Sequence, residues 1–233
     1  MSCTIVIVLC AVLAFFAVHV CLSEIKISHC RKVYLKTHHL DDLHLPSVVF
    51  FIFRRFADII ISALVCLSIL PILFVTLAPL IRLTSKGSVI FRQDRVGLFG
   101  KKFVCYKFRT MYAGADSSMA KVNDVRVTPI GRILRKTHID EFMQFFNILK
   151  GDMSLIGPRP YTLEVVRKLQ GFSNWPKRLI VRPGLSGLAQ ISSPRTMTAD
   201  EVLNCDLTYL EKMSLKKDIF IFFETLKFKD VSY

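Results

Sequence analysis

Two stretches of the chain are almost wholly apolar, and the remainder is polar and punctuated by turns. The first runs from Thr4 to Leu22, with His19 as its only strongly polar side chain. It is about long enough to cross a bilayer, for which ~20 apolar residues are needed. No basic residue precedes it and no small-residue cleavage site follows it. A retained transmembrane helix over residues 1–22 is therefore expected rather than a cleaved signal. Lys26, Arg31, Lys32 and Lys36 come next, and the bias of basic residues toward the cytoplasm places a linker, residues 23–53, on that side.

The second stretch, Ala57 to Ile81, is interrupted only by Asp58, Ser62, Ser68, Thr76 and two prolines. Arg54 and Arg55 precede it; Arg82, Lys86, Arg92 and Arg95 follow it. A single crossing would put one of these clusters on the wrong side of the membrane. Pro71 also lies near the middle, where its ring removes a backbone donor and breaks or kinks a helix. A segment over residues 54–82 that enters, bends at Pro71 and leaves on the same side satisfies both facts. Ser62 or Ser68 would then partner the backbone groups freed at the bend. The alternative is an ordinary kinked span, which would place the most basic part of the chain outside the cell.

Residues 83–233 read as one polar domain. Ser88 to Gln93 alternates as a strand does, and Val96 to Lys102 resembles a hairpin turn leading to a second strand, Phe103 to Phe108. Gly114 to Asn123 reads as a mobile polar loop or short helix. From Ile130 to Ile148 apolar residues recur at three- and four-residue steps, predicting helix, with Thr137 as an N-cap that starts a second one. Gly151 to Pro160 and Arg182 to Leu188 are rich in turn formers. Prolines on both sides of Arg159 stiffen its loop. Asp206 to Phe228 reads as one or two helices, whose apolar run Ile219 to Phe223 is suited to core, to the membrane surface or to a second subunit. The fold class expected is α+β and membrane-associated: an N-terminal transmembrane helix, a re-entrant proline-broken helix, and a small, mainly helical cytoplasmic domain with a short β-hairpin.

Composition sharpens this picture. Hydrophobic residues make up 52% of the 233, and 32 Lys and Arg against 18 Asp and Glu give a net charge of +14. Such a surplus calls for anionic partners. No run resembles a nucleic-acid-reading module, so lipid head groups and phosphates are expected and nucleic acid is not. The seven cysteines show no C-x-x-C spacing and read as small apolar residues, not as disulfides or a zinc site.

One pair of residues invites chemistry. Asp140 and Glu141 stand among Arg126, Arg132, Arg135 and Lys136, while Lys107, Arg109 and Arg159 come from other motif-like stretches. A carboxylate can attack a phosphoryl group covalently. Two anions repel, so such an attack needs Arg, Lys and a cation such as Mg²⁺ to offset their charge. Spacing alone favours a simpler reading, in which Thr137-x-x-Asp140 is a helix cap and Glu141 supports the helix dipole. Arg159 would then be a loop-fixing ion-pair partner, and Lys107 with Arg109 a solvated strand face.

Six ordered blocks tip the balance. Phe91-Arg-Gln-Asp-Arg-Val-Gly, Tyr106-Lys-Phe-Arg-Thr-Met, Arg126-Val-Thr-Pro-Ile-Gly-Arg, Ile139-Asp-Glu, Gly151-Asp-Met-Ser-Leu-Ile-Gly-Pro-Arg-Pro and Pro183-Gly-Leu-Ser-Gly-Leu-Ala-Gln together resemble the bacterial sugar transferase family, the monotopic polyprenyl-phosphate phosphoglycosyl transferases. The resemblance runs from about Arg54 to Leu226. It implies that Asp140 attacks the β-phosphate of a UDP-sugar, releases UMP and holds the phospho-sugar until polyprenyl (undecaprenyl) phosphate takes it up. It implies Glu141 as the Mg²⁺ ligand, and Lys107, Arg109, Arg126, Arg135 and Arg159 as phosphate contacts. It also implies a helix break at Pro71 and a place on the cytoplasmic face of the bacterial inner membrane, at the first membrane step of a polysaccharide or glycoconjugate pathway.

The family commonly reads Asp-Glu-Leu-Pro-Gln where this chain has Asp140-Glu-Phe-Met-Gln. The missing proline removes a stiffener from the turn after the dyad. Residues 1–50 lie outside the resemblance. A scaffold of the same fold that binds anionic lipid or assembly partners without catalysis is the competing reading, and the presence of the whole dyad and its basic blocks speaks against it.

Overall fold

A computed structural model describes residues 3–40, 42–115, 124–169, 174–192 and 197–227. Helix α1 spans Cys3–Thr37, well past the expected end at Leu22. The reason is legible: no glycine or proline occurs before Pro46, so nothing stops the helix at the lipid boundary. The expected linker is therefore helical over its first half. Its membrane-length half presents Ile7, Val8, Leu13 and Phe15 outward, whereas Glu24 and Arg31 in the other half are buried. Glu24 Oε1 lies 2.7 Å from Arg182 Nη1. Arg31 donates to the Ile180 carbonyl at 3.0 Å, and its guanidinium lies 3.6 Å from the centre of the Phe51 ring. The helix end is thus fastened to the polar domain.

Helix α2, Val48–Leu67, starts at Ser47, whose hydroxyl accepts from Phe50 N. Its buried residues are Phe51, Arg54, Arg55, Asp58 and Ser62, while Phe53, Ile60 and Leu64 are exposed. A helix with its polar stripe inward and its apolar face outward is built for an apolar surrounding. Arg54 donates to Ile156 O and pairs with Asp218 at 3.3 Å. Arg55 donates to Ile148 O at 2.7 Å and Leu149 O at 3.0 Å. Asp58 accepts from Ser154 Oγ at 2.7 Å and Leu155 N at 2.8 Å.

The break expected at Pro71 falls three residues earlier, at Ser68, and helix α3 occupies Ile69–Thr84. Pro71 sits in the first turn of α3, where a missing N–H is tolerated, so it starts a new helix instead of bending an old one. Ser68 Oγ donates to Leu64 O at 2.6 Å. Ser62 does not share that task; its buried hydroxyl has no hydrogen-bond partner among the described residues. At the far end, Arg109 donates to the carbonyls of Ser85 and Lys86. Leu70, Leu77 and Ile81 of α3 pack with Phe108, Leu134 and Met143. Both outer ends of the α2–α3 pair are therefore bound to the same domain.

The expected hairpin is present: β1, Ile90–Val96, pairs antiparallel with β2, Lys102–Phe108, in the register Ile90↔Phe108 to Val96↔Lys102. Residues 116–123 of the expected loop lie outside the described residues. Helix α4, Pro129–Lys136, has Thr128 as N-cap and Pro129 in its first turn. Gly131 is required there, since a Cβ would lie 2.0 Å from the Thr110 carbonyl. Thr137 is not an N-cap: it closes α4, its hydroxyl donating back to Ile133 O at 2.9 Å. The helix expected from Ile130 to Ile148 is accordingly three pieces. His138 takes a left-handed conformation, a 3₁₀ turn spans Ile139–Met143, and helix α5 follows over Gln144–Lys150. Periodicity survives such a break because both pieces bury apolar residues against one core.

Two further strand pairs were not visible as strands in the turn-rich blocks. β3, Ser154–Ile156, runs parallel to β5, Gly184–Ser186, and β4, Tyr161–Thr162, adds to the free edge of β1. Helices α6, Leu163–Leu169, and α7, Leu188–Ser192, lie between and after them. The tail forms two helices, α8, Ala199–Glu211, and α9, Leu215–Lys227. Ile148, Ile180, Leu210 and Ile221 are completely buried at the centre of the larger core. Tyr209 OH donates to Asp218 at 2.7 Å, tying α8 to α9 beside Arg54.

Candidate active site

The reversal at His138 sends the chain back across the open face of β2 and places Asp140 and Glu141 on the 3₁₀ turn. With three residues per turn, neighbouring side chains point about 120° apart, so the two acids meet different surroundings. Glu141 Oε1 receives Lys107 Nζ at 2.5 Å and Arg159 Nη2 at 3.1 Å. Burial would raise its carboxyl, yet Lys107 and Arg159 outweigh burial and hold it well below the usual carboxylate range. It is a fixed anion. Among the described residues, none donates a hydrogen bond to the buried Asp140 carboxylate. Burial lifts that group to about 6, with the charge of Glu141 acting the same way and Lys107 and Arg135 opposing. The cap reading of Asp140 fails with Thr137.

Each cation is placed by a distinct local device. Lys107 lies on edge strand β2, where the buried Asn147 amide stands in for a neighbouring strand: it donates to Val104 O at 2.6 Å and accepts from Tyr106 N at 3.1 Å. Arg135, near the end of α4, is oriented by a 2.8 Å bond from Nε to Thr110 Oγ1 and reaches Asp140 electrostatically. Arg159 extends from the Pro158–Pro160 loop beside β3 and β5. Gly184 allows the two loops to touch: a Cβ there would lie 2.1 Å from Gly157 N.

A small cleft opens beside Lys107 and Arg159, lined by Arg95, Cys105, Lys107, Gln144, Arg159 and Leu185 among others. Lys107 and Arg159 thus meet Glu141, and Arg135 reaches Asp140 electrostatically. Arg109 and Arg126 are engaged elsewhere, Arg109 on the carbonyls after α3 and Arg126 on the Asp124 carboxylate. Sequence reasoning missed Arg95 and Asn147 as site-forming residues. Their long-range partners are backbone groups, Pro160 O for Arg95 and Val104 O and Tyr106 N for Asn147, which leave no trace in residue spacing.

Among the described residues, no three His, Cys, Asp or Glu side chains come together as a metal cage. One charged Glu141, paired with Lys107 and Arg159, suits an ion that brings its own ligands. Mg²⁺ is of that kind, keeping waters and substrate phosphate oxygens beside one or two carboxylates. The donor set therefore fits.

The model of the bacterial sugar transferase family matches residues 49–229. The chain belongs to that family. It is 35% identical over 229 residues to the UDP-N-acetylgalactosamine-undecaprenyl-phosphate N-acetylgalactosaminephosphotransferase of Aeromonas hydrophila, covering 91% of this chain and 54% of that protein. It is 42% identical over 187 residues to the UDP-glucose:undecaprenyl-phosphate glucose-1-phosphate transferase of Klebsiella pneumoniae, covering 75% and 39%. A Caulobacter vibrioides protein of the same name is 38% identical over 191 residues, covering 78% and 71%. The chain thus spans about half the length of the first relative and less of the second.

Proposed function

We propose that the chain transfers a sugar 1-phosphate from a UDP-sugar to polyprenyl (undecaprenyl) phosphate through a covalent intermediate on Asp140. The observation that carries this reading is the contrast within the dyad. Glu141 is held by two cations, while the adjacent Asp140 is buried and receives no hydrogen bond among the described residues. A desolvated carboxylate that still ionises near neutrality is a usable nucleophile. An Asp140 oxygen attacks the β-phosphorus and the bond to the α,β-bridging oxygen breaks, so UMP leaves. A polyprenyl phosphate oxygen then attacks the same phosphorus, giving a polyprenyl diphosphate sugar and restoring the carboxylate. Lys107, Arg135 and Arg159 offset the charge of the phosphates as they meet the acids. Mg²⁺ held by Glu141 would neutralise the diphosphate oxygens.

The same reading gives the membrane part its topology. Arg54 and Arg55 fasten the start of α2, and Arg109 the end of α3, to one polar domain. A pair of apolar helices so held dips into one leaflet and returns, with the catalytic domain on the cytoplasmic face of the inner membrane.

The test is purified protein with Mg²⁺, polyprenyl phosphate and a panel of UDP-sugars. UMP release is expected with one or a few of them and none with Asp140→Asn. Release that survives Asp140→Asn removes Asp140 from the mechanism. A cysteine at position 86 that reacts with impermeant label only from outside the cell overturns the re-entrant topology.

A further inference from the structure

The segment that carries Arg159 cannot hold itself, because Pro158 and Pro160 have no N–H to donate. Each of its three carbonyls is instead held from outside. Gly184 N donates to Pro158 O at 2.9 Å, Arg178 Nη2 to Arg159 O at 2.7 Å, and Arg95 Nη1 to Pro160 O at 2.6 Å. Arg95 is itself steadied by Gln93 Oε1 at 2.6 and 3.1 Å.

Arg178 is the unusual member. It lies on a 3₁₀ turn, Trp175–Ile180, and is buried. Its guanidinium stands 3.8 Å from the centre of the Tyr161 ring and 5.0 Å from that of Trp175, and these two rings are stacked on each other at 5.8 Å. Asp206 of α8 pairs with it at 2.7 Å, both side chains 2% exposed. Stability alone does not call for this arrangement. Burying an ion pair carries a desolvation cost, and a well-packed apolar side chain of similar volume is often as stable or more so. What an apolar side chain cannot supply is a directed donor to the Arg159 carbonyl.

We infer that Arg178, set by Asp206, is a positioning residue for the transfer: it fixes the backbone of Arg159 so that the Arg159 guanidinium meets Glu141. Arg178 is not among the residues that line the cleft, so it acts through Arg159. The inference rests on the function proposed above and extends it to buried residues behind the Arg159 loop. Displacement of a charge-holding group by about 1 Å costs roughly 10²-fold in rate.

The experiment is a double-mutant cycle. Arg178→Met should lower kcat by about 10²-fold with a smaller change in the KM for the UDP-sugar, and Arg178→Lys should recover part of the loss. In an Arg159→Ala background, Arg178→Met should cost less than a further twofold, because its only route to the chemistry is gone. Independent losses that multiply overturn the inference, as does full activity in Arg178→Met. If Arg178→Met does not fold, Asp206→Asn takes its place in the cycle, with the same coupling expected. A second readout is free of turnover. In ¹⁵N-arginine spectra, the Arg159 Nε signal, assigned by Arg159→Lys, should shift in Arg178→Met in the direction seen with Glu141→Gln. An unmoved Arg159 signal overturns the positioning role even if activity falls. Absence of UMP release by the unaltered protein would instead sink the proposed function and leave the spectral test to decide the positioning role.

Discussion

Lys107 Nζ and Glu141 Oε1 are 2.5 Å apart, joining the edge strand of the hairpin to the turn that carries both acids. Their side chains are 18% and 14% exposed, so water screens the pair little. Lys107→Met should therefore let the Glu141 carboxyl rise toward its ordinary range and remove a proposed phosphate partner at once. UMP release should fall by about 10²–10³-fold, the usual cost of deleting one preorganised donor. A loss below tenfold would show that Arg159 alone suffices.

The pH profile should report Asp140. Burial lifts its carboxyl to about 6, and in the proposed reaction the ionised form is the one that attacks. Below about 6, kcat/KM should drop tenfold per pH unit; above it, the acid limb should level off. Glu141, held far lower, stays charged throughout and adds no limb of its own. A profile flat down to pH 4.5 would contradict this assignment.

Stability should show a separate pH signature from Asp206. Burial, against the pull of Arg178, raises its carboxyl to about 6 from an ordinary 3.8. The folded form therefore keeps a proton that the unfolded chain has already lost between these values. Its contribution to stability is complete below about pH 4, declines between 4 and 6, and is gone above, a change of about 3 kcal/mol at roughly 1.4 kcal/mol per pH unit. Asp206→Asn should flatten that slope in thermal melts across the same pH range.

Glu24 sits between Arg31 and Arg182 with no exposure. Glu24→Ala would leave both guanidinium groups buried with less compensation, a loss on the order of 3–5 kcal/mol. Thermal melting in detergent should show the drop, and limited proteolysis should cut α1 away from the domain sooner. An unchanged melt would mean that the α1 contact contributes little.

Much of this organisation can be read from residue order where the cause is local. Alternation and the glycines at 97 and 100 define the hairpin, and clustered arginines around an apolar run mark where α2 and α3 meet the polar domain. The continuation of α1 beyond the expected end at Leu22 has a local cause, since no breaker precedes Pro46, but its end at Thr37 does not. The 3₁₀ turn bearing Asp140 was not. Its left-handed entry at His138 depends on the packing of Leu134, Met143 and Phe142, none of which has a distinctive spacing. Phe142 and Met143, which stand where relatives of this type were expected to carry Leu-Pro, hold the turn by filling the core instead of by ring rigidity. Arg109 and Arg135 looked alike in sequence, and only tertiary contacts separate the one facing a helix end from the one facing Asp140.

The inward polar stripe of α2 has a practical consequence for anyone seeking a water-soluble version of this protein. Arg54, Arg55 and Asp58 satisfy the carbonyls of Ile148, Leu149 and Ile156 and the amide of Leu155. Cutting the apolar helices away would strip four main-chain groups of their partners in the segments that flank the turn bearing Asp140. The apolar piece is thus a wall of the protein's own interior, and a trimmed fragment would begin life with that wall missing.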